Sequence, residues 1–142
     1  MSESSYHLRL VERILLYVKE SYHGLYSLAL LHDMPAVIGA EKPPRVRGFV
    51  PDVYAVDAPL TTMIIGEAKT SQDLLTEHSL KQIGAFLSHL EGQKRGVFVL
   101  SVPWQAARRG QSLVTSICRT RGIDQTKVEL VILDGVKREA RR

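Results

Sequence analysis

Two strand-like segments that lie close together in the chain constrain its fold most strongly. They are residues 50–56 (VPDVYAV) and 62–68 (TMIIGEA), and both are rich in β-branched and apolar residues. Asp57, Ala58 and Pro59 follow the first segment and are typical turn residues. Two strands joined by so short a turn predict an antiparallel hairpin.

The segments around this hairpin alternate between helical and strand patterns. Apolar residues recur at spacings of three and four over 7–22, 73–90 and about 103–121, which predicts three amphipathic helices. Short apolar runs at 25–31, 97–102 and 128–133 predict further strands, and residues 33–49, with three prolines and two glycines, predict a long loop. The resulting order is α-β-β-β-α-β-α-β. Helices between the later strands imply parallel crossovers, so we expect an α/β fold with a mixed sheet flanked by helices.

The length of 142 residues fits a single domain, residues 1–142. Within it we expect the first helix at 6–23, the hairpin at 50–69 and a basic tail at 135–142. No apolar run is long enough to cross a bilayer, so no membrane contact is expected. The N-terminus lacks the pattern of a secretion signal, and one cysteine, Cys118, cannot form an internal disulfide. We therefore expect a cytoplasmic protein.

The charge is distributed unevenly along the chain. Residues 1–91 contain 8 Lys/Arg and 11 Asp/Glu, a net charge of −3, whereas residues 92–142 contain 11 Lys/Arg and 4 Asp/Glu, a net charge of +7. A basic surface attracts the phosphate backbone of nucleic acids. A solvated basic face without a partner explains the same charges equally well.

Three charged residues lie at the ends of the hairpin strands. Asp52 opens the first strand, and Glu67 and Lys69 close the second. In a tight hairpin these two ends are neighbours, and residues two apart in a strand share a face, so the three side chains should converge. Buried acids need compensation, and Mg²⁺ prefers carboxylate oxygens while keeping several waters. A bland alternative is a turn aspartate with a surface Glu–Lys pair, worth under about 1 kcal/mol.

The arrangement Pro51-Asp52 followed by Glu67-x-Lys69 resembles the signature of the PD-(D/E)xK nuclease superfamily, which includes restriction endonucleases, Holliday-junction resolvases and repair nucleases. The family core is α-β-β-β-α-β, with the motif on the second and third strands. This resemblance covers roughly residues 7–102 and implies a restriction endonuclease-like fold. It also implies that Asp52, Glu67 and the Ala68 carbonyl bind Mg²⁺, for which Mn²⁺ can substitute, and that Lys69 serves the attacking water.

Two further site residues follow from the same resemblance. Many members add a glutamate from the first helix, and Glu12 and Glu20 are the candidates; Glu12 lies beside the apolar stripe and is preferred as a metal ligand. Some members carry a glutamine on the next helix, followed four residues later by tyrosine. Gln82 matches as a catalytic residue, although Phe86 replaces the tyrosine.

Other conspicuous residues receive plainer interpretations. Arg45 and Arg47, in the long loop before Asp52, are hypothesised to contact DNA phosphates, with a solubilising loop as the alternative. Trp104, next to Pro103 at a helix start, is expected to pack rather than to stack on bases. The five histidines show no metal-ligand spacing and are expected at the surface or in local hydrogen bonds.

The expected function is a Mg²⁺- or Mn²⁺-dependent deoxyribonuclease, and more specifically an endonuclease. A non-catalytic DNA-binding or assembly module that retains the fold is the alternative, and RNA cleavage stays open. The expected partner is DNA. A homodimer would provide two sites for two strands, and a protein partner could supply targeting.

Overall fold

The computed structural model describes residues 3–24, 28–34, 41–57 and 60–136. These residues form three α-helices: α1 (Glu3–Ser21), α2 (Glu77–Glu91) and α3 (Ala107–Arg121). They also form five strands: β1 (Ala29–His32), β2 (Val53–Val56), β3 (Thr62–Ala68), β4 (Arg95–Ser101) and β5 (Val128–Leu133). One-turn 3₁₀ helices at Asp73–Leu75, Trp104–Ala106 and Gln125–Lys127 precede α2, α3 and β5.

The five strands form one mixed sheet in the order β1-β2-β3-β4-β5. The first three strands are antiparallel neighbours, whereas β3, β4 and β5 are parallel. The predicted mixed sheet flanked by helices is therefore confirmed. Because Val53 pairs with Gly66 and Ala68 pairs with Ser101, the start of β2 and the carboxyl ends of β3 and β4 meet at one edge of the sheet.

The helix α1 covers one face of the sheet. Its buried residues Leu10, Ile14 and Val18 pack against apolar side chains of β2, β3 and β4. Gly66 permits this close approach, because a Cβ atom there would lie 2.6 Å from Ile14 Cγ2. The helices α2 and α3 cover the opposite face, where the largest buried side chains are those of Phe86 and Phe98.

Several element bounds differ from those predicted. The helix α1 begins at Glu3, before the predicted start at residue 6 or 7, and β1 begins at Ala29 rather than at residue 25. Residues 25–27, part of the predicted first strand, lie outside the described residues, as do Ala58 and Pro59 of the turn and residues 137–142 of the basic tail.

The described part of the long loop packs against α2. Residues 41–50 contain one isolated bridge, Val46 with Phe49, and Val46 is buried in the core. Phe49 makes edge-to-face contacts with the rings of His78 and Phe86. Among the helices that the structure describes, none is long and apolar enough to cross a membrane.

Candidate active site

Asp52 and Glu67 are brought together at the edge of the sheet by hydrogen bonds across β2 and β3. The Asp52 amide donates to Glu67 Oε2 over 2.7 Å, and the Ala68 amide donates to Asp52 Oδ2 over 2.9 Å. Each acid thus binds a backbone amide of the opposite strand. The antiparallel hairpin predicted this juxtaposition, because it places the start of β2 beside the end of β3.

The second oxygen of each carboxylate faces a basic side chain. His7 Nε2 lies 3.4 Å from Asp52 Oδ1, and Lys69 Nζ lies 3.6 Å from Glu67 Oε1. These two oxygens are not used by the backbone bonds, so they are the ones that can turn toward a cation or a substrate.

Lys69 is buried, with only 8% of its surface exposed, and a glutamine fixes its amine. Its Nζ donates to Gln82 Oε1 over 2.5 Å, and its backbone amide donates to the Ser101 carbonyl over 3.0 Å. Gln82 is itself buried on α2. The amine is therefore held in one position by a neutral acceptor and a carboxylate.

The connection between β3 and α2 directs Gln82 toward Lys69. Thr70 and Asp73 exchange hydrogen bonds between their side chains and backbone amides, which closes a turn just after the strand. Thr76 then caps α2 by accepting from the Ser79 amide over 3.1 Å. These local bonds set the start of α2, and with it the position of Gln82 two turns further on.

Glu67 lies in surroundings that disfavour its charge. It is only 1% exposed, and burial raises its pKa well above the ordinary value. The neighbouring Asp52 carboxylate raises the pKa further, whereas the Lys69 ammonium lowers it. These surroundings therefore disfavour the charged form of Glu67, which a bound cation would stabilise.

The first helix contributes a histidine to this cluster rather than either predicted glutamate. Glu12 and Glu20 are exposed, and in the described part of the chain neither side chain forms an ion pair or hydrogen bond with Asp52 or Glu67. His7 takes the position beside Asp52, and its hydrogen bond to that acid raises its pKa, although partial burial lowers it. The available signal was its place on the apolar stripe, three residues before Leu10.

Arg45 and Arg47 are exposed on the turn that packs over α2. Arg45 donates to the Gly48 carbonyl over 3.1 Å. Burial lowers the pKa of His89, and the charge of Arg47 lowers it further. Within the described residues, neither arginine forms an ion pair with an acid of the cluster.

The expectation that Trp104 serves packing is not supported by its exposure. Its side chain is 65% exposed in the 3₁₀ turn after β4, while Ala106 of the same turn is buried. Pro103 starts this turn in an extended conformation, and the Ala106 amide binds its carbonyl. The turn therefore places the small residue inward and the indole outward.

The donor set fits a hard divalent cation that needs few protein ligands. Two carboxylates converge, and Glu67 is buried without full charge compensation, which a cation would supply. No group of three or more histidine, cysteine or acidic side chains close enough to hold a metal occurs in the described residues. Mg²⁺ suits a site with two carboxylates, because it keeps several waters.

No protein-family model and no curated protein sequence matches this chain. Among solved structures, it is similar to SfsA of Pyrococcus furiosus in complex with Ca²⁺, with 14% sequence identity and a TM-score of 0.52. The match covers 88% of this chain and 56% of that chain, so this chain spans little more than half the length of SfsA. At this identity the likeness shows the fold alone.

Proposed function

We propose that this protein is a metal-dependent nuclease of the PD-(D/E)xK type that hydrolyses phosphodiester bonds in DNA as an endonuclease. The observation that carries the proposal is that Asp52 and Glu67 lie side by side at the edge of the sheet, with the amine of Lys69 next to Glu67. A surface Glu–Lys pair does not account for this geometry, because Glu67 and Lys69 are both buried.

Asp52, Glu67 and the carbonyl of Ala68 would hold the cation, which is Mg²⁺ with Mn²⁺ as a substitute. The oxygens Asp52 Oδ1 and Glu67 Oε1 are suited to this role because they make no backbone hydrogen bond. A bound divalent ion would lower the pKa of water and offset negative charge on the phosphoryl oxygens. The Ca²⁺ in the SfsA structure is compatible with divalent-metal binding by this fold.

Lys69 orients the nucleophile and offsets developing charge. Hydrolysis forms one bond between a water oxygen and phosphorus and breaks one P–O ester bond; the water loses a proton and the leaving oxygen gains one. The Lys69 amine donates hydrogen bonds to that water or to the phosphoryl oxygens, and Gln82 restricts it to a single direction. Gln82 is accordingly a positioning residue.

The test is cleavage of linear, nicked, branched and single-stranded DNA with Mg²⁺, Mn²⁺ or EDTA. We expect metal-dependent cleavage that falls at least about 100-fold in Asp52→Asn and in Lys69→Ala. Glu77→Gln is the matched control, since Glu77 is an exposed acid on α2 whose one ion pair among the described residues is with Lys81.

Binding to DNA without cleavage in any metal would overturn the enzyme in favour of a non-catalytic module. Cleavage at the wild-type rate by Asp52→Asn would show that the reaction takes place elsewhere or comes from a contaminant. Including single-stranded RNA among the substrates tests the choice of DNA directly.

A further inference from the structure

Trp104 has no structural role that explains its exposure. It is the only tryptophan of the chain, it is 65% exposed, and its indole N–H makes no hydrogen bond within the described residues. Exposing so large an apolar ring forgoes the stabilisation that burial would give. A ring that is carried on a short turn and left open to solvent is suited to contact a planar ligand.

The turn that carries Trp104 adjoins the candidate active site. The amide of Lys69 is hydrogen-bonded to Ser101, and Trp104 follows only three residues later. Three residues span at most about 11 Å, so, with the 3.0 Å hydrogen bond included, the backbone of Trp104 lies within about 14 Å of the Lys69 amide. A strand bound with its phosphate at Lys69 would reach the turn that carries Trp104 with a nucleotide a few positions away.

Two exposed arginines follow the tryptophan in the first turn of α3. Arg108 and Arg109 form no ion pair within the described residues, and this turn contains no acidic residue. Positive charge is unfavourable at a helix N-terminus because of the helix dipole. The two arginines therefore destabilise α3 slightly, and their charge is suited to binding an anionic ligand at the surface.

We infer that Trp104 stacks on an unpaired base while Arg108 and Arg109 contact phosphates of the same strand. This inference depends on the proposed function and names its substrate class: DNA with unpaired nucleotides beside the cleavage site, such as an overhang or a flap. A paired base is stacked inside the duplex and cannot offer its face to the ring, whereas base–aromatic stacking is the usual means of holding single strands.

The lone tryptophan provides its own spectroscopic probe. We titrate the full chain in EDTA with a twelve-nucleotide oligothymidylate, with an abasic oligonucleotide of equal length and charge, and with a blunt duplex, and record tryptophan fluorescence. Stacking on thymine should quench the emission, whereas the abasic strand supplies the same phosphates without bases. Equal quenching by the thymine and abasic strands, or none with the thymine strand, would overturn the inference.

Variants measured with a fluorescently labelled oligothymidylate provide the second readout. We expect Trp104→Ala to weaken binding by about 5- to 150-fold, and Trp104→Phe to retain part of the affinity because it keeps an aromatic face. Leu60→Ala is the matched control, since Leu60 is an exposed apolar residue (70%) at the opposite end of the sheet. Wild-type affinity in Trp104→Ala, with its circular dichroism unchanged, would refute the stacking role.

The arginines are tested by the salt dependence of the same binding. The double variant Arg108→Ala/Arg109→Ala should reduce the slope of log K against log salt by about 1.4 for a single strand. An unchanged slope would remove the arginines from the inference. These titrations contain no metal, so they are independent of the cleavage assay. Quenching without cleavage would contradict the proposed enzyme and leave a single-strand binding site. Cleavage without quenching would contradict only the stacking role.

Discussion

At the scale of single residues, Glu67 is held where its charge is costly. Burial and the adjacent Asp52 both raise its pKa, and the Lys69 ammonium offsets them only in part. Proteins tolerate such a group when a ligand compensates it. If the proposed cation site is correct, its occupancy should therefore stabilise the fold.

We expect Mg²⁺, Mn²⁺ or Ca²⁺ to raise the melting temperature of the wild-type protein. A cation that binds only the folded state stabilises it by about 2.7 kcal/mol at a concentration one hundred times its Kd. Differential scanning calorimetry against an EDTA blank measures the shift, and Glu67→Gln should remove most of it. The same shift in both proteins would place the metal elsewhere.

Gln82 should affect catalysis without affecting the fold greatly. Its carbonyl oxygen accepts from Lys69 Nζ, so Gln82→Ala frees the amine and should lower kcat by about 10- to 100-fold. The conservative Gln82→Glu keeps an acceptor and should retain more activity. Gln111→Ala is the control, because Gln111 is exposed on α3. Unaltered kcat in Gln82→Ala would mean that Lys69 needs no such positioning.

The sequence predicted the positions of Asp52 and Glu67 better than that of the third side chain. A tight turn fixes which residues of two antiparallel strands face each other, so the two acids could be paired without coordinates. A helical wheel gives only the angle of Glu12 around α1. It does not show which residue of the helix lies next to the end of the sheet. Packing of α1 on the sheet decides this, and it places His7, not Glu12, beside Asp52.

At the scale of elements, the turn between β2 and β3 is closed by one carboxylate. Asp57 accepts from the backbone amides of Thr61 and Thr62 and from the Thr61 hydroxyl. It is buried, and these hydrogen bonds, that of the Thr61 side chain first, lower its pKa even though desolvation raises it. The charged form thus holds together the hairpin that carries the candidate site.

Asp57→Asn should lower the free energy of unfolding at neutral pH. Because the folded-state pKa is lowered, the contribution is complete above the unfolded pKa of about 4 and is lost as the pH falls through the folded value. Urea denaturation at pH 7 and at pH 3 should show a difference between wild type and variant that shrinks at the lower pH. Asp33→Asn is the control, since Asp33 is exposed and, within the part of the chain that the structure describes, its ion pair is with Lys42. A difference independent of pH would remove the charge from the explanation.

Gly66→Ala should separate α1 from the sheet. The new Cβ would lie 2.6 Å from Ile14 Cγ2 and 3.2 Å from the Val53 Cβ, and a β-branched side chain in a helix cannot turn away. Overpacking of this kind costs about 1–3 kcal/mol, measurable by thermal denaturation. Gly92→Ala, whose nearest neighbour would be 3.6 Å away, should stay within about 0.5 kcal/mol of wild type. Equal stability of both variants would show that α1 adjusts freely.

At the scale of the whole molecule, the order of elements was predictable but the extent of some was not. Periodicity distinguishes helix from strand, so the segments that became β2, β3 and β4 could be recognised. The strand β1 has only four residues, and its bounds depend on pairing with β2, which no local pattern specifies. The exposure of Trp104 was also missed, because a local pattern does not show which side of a turn faces the core.

The distribution of charge over the molecule should control DNA affinity. The sequence carries 19 Lys/Arg and 15 Asp/Glu, and we expect duplex binding to weaken steeply with salt. If Arg45 and Arg47 both contact phosphates, the double Arg45→Ala/Arg47→Ala variant should reduce the slope of log K against log salt by about 1.8.

The matched control removes two charges elsewhere, with Lys19→Ala/Lys81→Ala on exposed positions of α1 and α2. Filter binding between 50 and 200 mM salt (concentrations chosen to span about the range over which phosphate contacts weaken) measures both slopes. If the control lowers the slope as much as the arginine pair, the effect comes from net charge and the loop contacts are rejected.

The hydrogen bonds that Asp52 and Glu67 accept from each other's strand give these side chains a structural role as well. Their carboxylates extend the hydrogen bonding between β2 and β3, because they accept from the amides of Asp52 and Ala68. These amides would otherwise have no partner in the sheet. Asp52→Ala would remove the acceptor for the Ala68 amide as well as the oxygen proposed to bind the cation. Asp52→Asn retains an acceptor for that amide. The proposed chemistry and the sheet therefore use different oxygens of the same two carboxylates, so an inactive variant that preserves the fold must be isosteric.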